Sequence, residues 1–196
     1  KELGCAPETL LDELLDRAPL GCEGLVLQPY WSPKIKQPCA KGTIIGFSDV
    51  HTRAHIYRAI IEGIGFGLYE GLTSICARAG VKLDTVMISG GGSTSDRVCS
   101  ILADILGLPV KKTQTYENSA LGCAMLTYMG LGVYKTPEAA IENMVGEGKV
   151  YQPNMKNHEQ YMTLYSTVYE RIYRKNRKTF ANIRAYNRRY PVKKAD

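Results

Sequence analysis

The sequence predicts an α/β protein whose layered sheet is covered by helices, an α/β/α arrangement closed by a long C-terminal helix. Three observations carry that prediction. Between residues 40 and 135, short β-branched and aliphatic runs alternate with longer segments of helical periodicity, as when strands lie side by side with helices crossing between them. One strand-to-helix transition, at residues 86–96, passes through three consecutive glycines. From about Asn154 onward, large residues recur at spacings of three and four without interruption, which predicts a single long helix.

The 196 residues, 44% hydrophobic and 22% charged, suffice for one good core. There is no run of about eighteen apolar residues, and no charged N-terminal region followed by an apolar stretch. Neither a membrane span nor a signal peptide is therefore expected, and the chain reads as cytoplasmic. Six cysteines (Cys5, Cys22, Cys39, Cys76, Cys99, Cys123) are scattered without a C-x-x-C pair and read as reduced thiols. His51 and His55 have the i, i+4 spacing of two zinc ligands. The glutamate that should follow the first is absent, Arg53 lies between them and no third ligand is in view, so no metal site is assigned.

Taken in order, Leu10, Leu11, Leu14 and Leu15 lie opposite Asp12, Glu13 and Asp16 on a short helix that ends at Pro19 and Gly21. Residues 24–28 form a short strand. Pro29, Pro33 and Pro38 rule out regular structure over most of 29–42, leaving a loop with Tyr30 and Trp31 available for packing. Residues 43–48 read as a strand, and a long helix runs from about Thr52 to Ala79. Inside it Gly63, Gly67 and Gly71 recur every fourth residue with Gly65 between, each costing about 1 kcal/mol relative to alanine, so a closely approaching backbone is expected along that ridge. Residues 106–110 turn into another short strand. Residues 117–131 form a helix with Ser119, Ala120, Gly122 and Ala124 on its inner side, which implies a second tight contact. Thr136 and Pro137 open a further helix as N-cap and first residue.

The chemistry is concentrated at residues 86–96. The β-branched run Val86-Met87-Ile88 stops at Gly90, Gly91 and Gly92, and a helix restarts with Val98, Ile101, Leu102, Ile105 and Leu106 on one face. Ser93 and Asp96 have the spacing of a capping box in front of it. Consecutive glycines let a ligand lie against bare backbone, and helix-terminal N–H groups offer donors to its oxygens, so a nucleotide is the natural guest. The same glycines could equally serve only the turn. Asp96 already occupies the positive end of the helix dipole, which favours adenine or ribose there over a triphosphate.

In the last helix Tyr161, Leu164, Tyr165, Val168, Tyr169, Ile172 and Tyr173 form a stripe best read as packing. Residues 171–196 hold ten Lys or Arg against one acidic residue, net +9, so the remainder carries −3 within the total of +6. A basic tail with tyrosines interleaved could touch nucleic acid, but an exposed helix end explains the same residues and is preferred.

Two blocks make this chain resemble the C-terminal half of the FGGY family of carbohydrate kinases. In the first, Gly46-Phe47 is followed after seven residues by His55-Ile56-Tyr57-Arg58-Ala59-Ile60-Ile61-Glu62. The second runs from Ser89-Gly90-Gly91-Gly92-Ser93 through Leu102-Ala103-Asp104-Ile105-Leu106-Gly107-Leu108-Pro109-Val110 to Ser119-Ala120-Leu121-Gly122-Cys123-Ala124. The sequence departs from the pattern at Phe47, where a smaller aliphatic is usual. It departs again at Pro29-Tyr30-Trp31-Ser32-Pro33, which replaces the Gly-Glu-Arg-x-Pro common in the xylulokinase branch of the family near the start of this half.

The resemblance implies an actin-like, ribonuclease-H-like ATPase fold in which two lobes close on a sugar and ATP. By that resemblance residues 1–150 are the nucleotide-binding lobe without its first strands, and residues 151–196 are a long helix and basic tail. Gly90, Gly91, Gly92, Ser93, Ser95 and Asp96 match the family's adenosine-contacting loop. ATP with Mg²⁺ is then the expected cofactor, and a small sugar or polyol, a pentulose such as xylulose, the acceptor. The catalytic aspartate and sugar-binding residues are expected in the N-terminal lobe of the same protein, so this piece alone is expected to be inactive. A homodimer stays open, and no membrane partner is expected. A noncatalytic ATP-sensing or scaffold member of the fold is the alternative, and a nucleic-acid binder the lesser one.

Overall fold

The computed structural model describes residues 7–32, 37–146 and 148–191. Cys5, Pro33 and the last five residues of the basic tail lie outside the described residues. Helix α1 (Pro7–Asp16) is followed by a tight turn, Leu20–Gly24, in which Gly21, Cys22 and Glu23 all take left-handed backbone angles. Strands β1 (Val26–Gln28) and β2 (Thr43–Ile45) pair antiparallel with Leu27 opposite Ile44. In the loop between them Tyr30 is buried and Trp31 exposed.

Helix α2 (Arg53–Ala79) is the longest single α-helix. Thr52 caps its start by accepting from Ala54 N–H, and Gly80 closes it in the left-handed conformation. Strand β3 (Val86–Ile88) leads through the turn Gly91–Ser93 into helix α3 (Asp96–Leu106). Strand β4 (Val110–Lys112) pairs parallel with β3, Met87 lying opposite Lys111. Helices α4 (Asn118–Gly130) and α5 (Pro137–Met144) follow, α5 with Thr136 as N-cap and Pro137 first. Strand β5 (Val150–Tyr151), which no sequence signal announces, pairs antiparallel with β4 and makes the sheet order β3-β4-β5.

The expected long last helix is present as helix α6 (Met155–Leu164), a π turn at Tyr165–Tyr169 and helix α7 (Glu170–Arg189), with Asn154 as N-cap. No helix among the described residues is long and apolar enough to cross a membrane. The five described cysteines are all free thiols.

The core lies between α2, α3 and the α6–α7 rod. Phe66 sits at its centre, with the rings of Tyr161, Tyr165 and Tyr169 at 6.0, 5.8 and 5.1 Å. Ile101, Leu102, Ile105 and Leu106 of α3 close the other side, so the tyrosine stripe is packing, as its spacing indicates. The glycine ridge of α2 has a different logic from the one expected. A side chain at Gly63 would fall on the Leu27 carbonyl, and one at Gly65 on Ile105, whereas Gly71 faces open space. The close approach is therefore to β1 and α3, through two glycines two residues apart. The inner face expected for α4 is corrected as well: none of that helix is buried, and Gly122 has nothing within contact range.

Charge is buried with this core. Glu62, only 2% exposed, accepts from Arg58 Nε (2.8 Å), Tyr161 OH (2.8 Å), Gly21 N–H (3.2 Å) and the Cys22 thiol (3.5 Å). Arg58 also donates to the Leu15 and Ala18 carbonyls, both at 2.9 Å. Burial, reinforced by the Glu62 charge, pushes the Cys22 thiol and the Tyr161 hydroxyl up, so both stay protonated donors.

Two stability outcomes follow. Glu62→Leu leaves Arg58 half-buried without its carboxylate and should cost about 3–5 kcal/mol in a urea titration. Adding Arg58→Met should recover part of the loss, whereas purely additive losses would mean the pair is not coupled. Tyr169→Ala should cost about 3–5 kcal/mol, while Arg188→Glu with Arg189→Glu, on the exposed end of α7, should leave the melting temperature within a degree or two; the reverse ranking would make charge, not packing, the determinant of this helix.

Candidate functional site

The glycine loop sits at the C-terminal end of β3, where parallel strands hand over to helices and where α/β sheets place their ligands. Gly90 takes φ +88° with an extended ψ, a conformation open essentially only to glycine, and its N–H donates to the Tyr116 carbonyl (3.2 Å). The chain then makes one tight turn, closed by Ser93 N–H to Gly90 O at 3.0 Å. The N–H groups of Gly91 and Gly92 precede that bond, and a side chain at either position would meet nothing within 4 Å. Bare backbone is thus presented to open space.

The six residues singled out by sequence separate into three kinds. Gly91 and Gly92 are exposed, with Gly90 as their hinge. Ser93 is 3% exposed, and its hydroxyl turns inward onto the Gly90 carbonyl at 2.7 Å, so it shapes the loop and does not face outward. Ser95, not Ser93, is the N-cap of α3: its Oγ accepts from Val98 N–H (3.1 Å) and donates to Asp12 of α1 (2.5 Å). The capping box expected at Ser93 and Asp96 is corrected accordingly. Two extra residues of tight turn shift the helix start, and Asp96 becomes its first residue.

Asp96 holds the other half of the site together. Its carboxylate receives Lys149 Nζ, the Tyr151 hydroxyl (2.6 Å) and Lys112 Nζ (3.4 Å). Lys112 also reaches the Thr94 carbonyl at 3.1 Å. The hydrogen bond from Lys149 above all, then that from Tyr151, holds the Asp96 carboxyl down at about 2, against the opposing effect of burial. Burial and the same hydrogen bond push the Tyr151 hydroxyl up.

Lys112 comes from β4, Tyr151 from β5 and Lys149 from the residue just before β5, and none was singled out by the sequence; Lys112 is an unremarkable strand-end lysine, and β5 is too short to show a period. They change the electrostatic argument. Two ammonium groups on one carboxylate reverse the local sign, so the loop is not closed to anionic groups as Asp96 alone would suggest.

The histidines are otherwise engaged. His55 Nδ1 accepts from Thr52 N–H at 3.2 Å at the start of α2, and His51 Nδ1 accepts from Ser48 N–H at 2.8 Å. Among the described residues no three His, Cys, Asp or Glu side chains are grouped to hold a metal ion.

The family described as the FGGY family of carbohydrate kinases, C-terminal domain, matches residues 10–131. The chain is 34% identical over 168 residues to a xylulose kinase of Staphylococcus epidermidis, covering 84% of this chain and 33% of that protein. It is also 34% identical over 132 residues to a glycerol kinase of Deinococcus radiodurans, 67% of this chain and 25% of that protein. Among solved structures, the xylulose kinase of Rhodospirillum rubrum superposes with a TM-score of 0.77 at 29% identity, over 92% of this chain and 36% of that one. The chain spans about a third of the length of the xylulose kinases it matches. The fold is that of the actin-like ATPases to which these kinases belong.

The Asp96 cluster makes a prediction about pH. A carboxyl depressed in the folded state from 3.8 to about 2 contributes stability that is complete above the unfolded value and is lost as pH falls through the folded one. The stability difference between the protein and Asp96→Asn should therefore be flat above about pH 5 and shrink between about pH 4 and 2. Half-exposure of the side chain keeps it small and salt-sensitive. A difference that stays constant down to pH 2 would show that the carboxylate gains nothing from its lysines.

Proposed function

The chain belongs to the FGGY family of carbohydrate kinases, and on that premise we propose that it is the ATP-binding C-terminal lobe of an enzyme moving the γ-phosphate of ATP to a hydroxyl of a small sugar or polyol. Residues 1–150 would hold the nucleotide, and the rod and tail of 151–196 would brace them. A pentulose such as xylulose is the preferred acceptor, because the likeness to xylulose kinases extends over more of this chain than the likeness to a glycerol kinase.

The observation that carries the reading is the open backbone at Gly91 and Gly92, set between a strand end and a helix start with Lys112 and Lys149 alongside. Adenosine would lie against Gly90, Gly91 and Gly92, and the planar base could approach because no Cβ stands in its way. Ser93 and Ser95 would fix the loop through the bonds they make to Gly90 O and Asp12. Asp96 would hold the two lysines beside the nucleotide. ATP supplies the transferred phosphoryl group.

Phosphoryl transfer requires an in-line acceptor, a base and charge neutralisation together. Mg²⁺ would be held by the phosphates and by groups of the N-terminal lobe. The base and the acceptor site are assigned to the N-terminal lobe of the same protein.

Gly91→Val in the full-length protein tests the loop. Its Cβ meets nothing within 4 Å and its φ is not in the positive range, so the fold should tolerate valine. The Kd for ATP should rise at least about tenfold, roughly 1.4 kcal/mol, with the melting temperature unchanged. Unaltered ATP affinity in the folded variant would remove this loop from the nucleotide site.

A further inference from the structure

Helix α7 carries more charge than its packing uses. Between Arg171 and Arg189 it holds eight lysines and arginines, and its one acid, Glu170, is the first residue. None of the eight meets a carboxylate among the described residues, whereas Arg17, Arg58, Arg97, Lys112 and Lys149 on the body each do. Arg171 with Lys175, Arg174 with Lys178 and Arg184 with Arg188 repeat like charge at i, i+4, where it repels. A face that served solubility alone would intersperse both signs. The loop that meets this helix has the same bias, since residues 24–48 contain three lysines and no acid.

Loop and helix enclose a cavity of about 320 Å³ walled by Pro38, Cys39, Tyr173, Arg177 and Ala181. Arg184, two turns beyond Arg177 on the same side of the helix, donates to Pro38 O (3.4 Å). A planar ring entering the cavity would have the Tyr173 ring for a wall and the Arg177 guanidinium beside it. Further along α7 the aromatics stand in water: Tyr186 is 63% and Tyr190 56% exposed, their rings 5.0 Å apart, with the Arg189 guanidinium 5.6 Å over the second. Cations without carboxylates suit phosphates, and bare rings interleaved with them suit unpaired bases. A lipid surface fits less well, because Ile172 and Phe180 on the inner face are already buried in the body and leave no broad apolar face to enter a bilayer. A duplex fits less well too, because its bases are stacked away from such rings.

We propose that α7 and the 37–42 loop form a second binding face, sharing no residue with the glycine loop, that takes single-stranded nucleic acid. One base enters the cavity against Tyr173, Arg177 and Arg184 take the phosphates on either side of it, and Tyr186 and Tyr190 stack on bases further along the strand. The exposed helix end preferred from sequence explains why these residues are solvated, and leaves their uncompensated charge and bare rings without a use.

Fluorescence anisotropy of a labelled oligouridylate, titrated with the full-length protein at several salt concentrations and with saturating ATP present so that the glycine loop does not contribute, tests it. Affinity should fall with salt, the slope of log K on log salt being about −0.7 per phosphate contact. Arg177→Glu with Arg188→Glu should weaken binding at least about tenfold and make that slope shallower by about 1.4, the value of two contacts. Tyr186→Ser with Tyr190→Ser should also weaken binding at least about tenfold, with the slope kept. All four side chains are exposed, so the melting temperature should not move in either variant. No binding at about 50 mM salt would overturn the proposal. So would a tyrosine pair without effect, which would reduce the face to general attraction for polyanions, or a duplex of the same length bound as tightly as the single strand. Vesicles of phosphatidylserine bound by a protein that ignores the oligonucleotide would overturn it in favour of a membrane surface.

Discussion

The interaction on which the rest of the structure depends is the buried pair of Arg58 and Glu62. A carboxylate 2% exposed would be prohibitive in isolation, since removing an ion from water costs several kcal/mol even after relaxation. Four donors compensate it, and they come from three places: Arg58 on α2 itself, Gly21 and Cys22 in the left-handed turn, and Tyr161 on α6. Arg58 also donates through Nη1 to the carbonyls of Leu15 in α1 and Ala18 just beyond it, and through Nη2 to the Tyr161 hydroxyl. The pair specifies an arrangement as much as it stabilises one. Cys22 and Glu23 hold positive φ without being glycine, at a cost of about 1–3 kcal/mol each. The hydrogen bond from Gly21 to Glu62 is what fixes that turn against α2.

What the sequence made legible was whatever repeats within one element. The amphipathic face of α3, the length of α2, the proline start of α5 and the tyrosine stripe all follow from a period that a single helix imposes on its own residues. What it concealed depends on two elements meeting. Strand β5 is two residues long and exists because β4 offers it an edge. The glycines of α2 looked like a ridge of period four, yet the two that matter, Gly63 and Gly65, are selected by the Leu27 carbonyl on one side and Ile105 on the other. The small residues of α4 suggested a tight contact, and nothing among the described residues makes it.

The candidate site divides in the same way. The backbone of its loop was legible, because three glycines between a β-branched run and an amphipathic helix mark a tight strand-to-helix turn. The roles within it were not, since Ser93 and Ser95 are both plausible caps by spacing, and only the tight turn at Gly91–Ser93 decides for Ser95. Its charge was misjudged for a related reason. A carboxylate at the first position of a helix reads as negative in sequence, and becomes part of a net positive cluster once Lys112 of β4 and Lys149, beside β5, arrive from 16 and 53 residues away.

The C-terminal rod shows how a correct period can still need a structural correction. At 100° per residue, Tyr161 and Tyr169 in an unbroken α-helix would lie about 80° apart around the axis, too far for both to point at Phe66. The π turn at Tyr165–Tyr169 advances less per residue and takes up that drift, so Tyr161 and Tyr169 are both at most 1% exposed, and Tyr165 stacks on Tyr169 at 5.5 Å. Such a turn disturbs the regular helical ladder, and here the Tyr169 carbonyl is engaged from outside by Gln28 Nε2 (3.2 Å) of β1. The same contact that relieves the helix ties it to the strand pair. Beyond the turn the charge builds up on a helix already anchored by Ile172 and Phe180, and Arg184 bends back onto Pro38 O (3.4 Å) and the Cys39 sulfur (3.5 Å). Packing therefore sets the path of the rod, and its basic residues occupy the faces that packing leaves over.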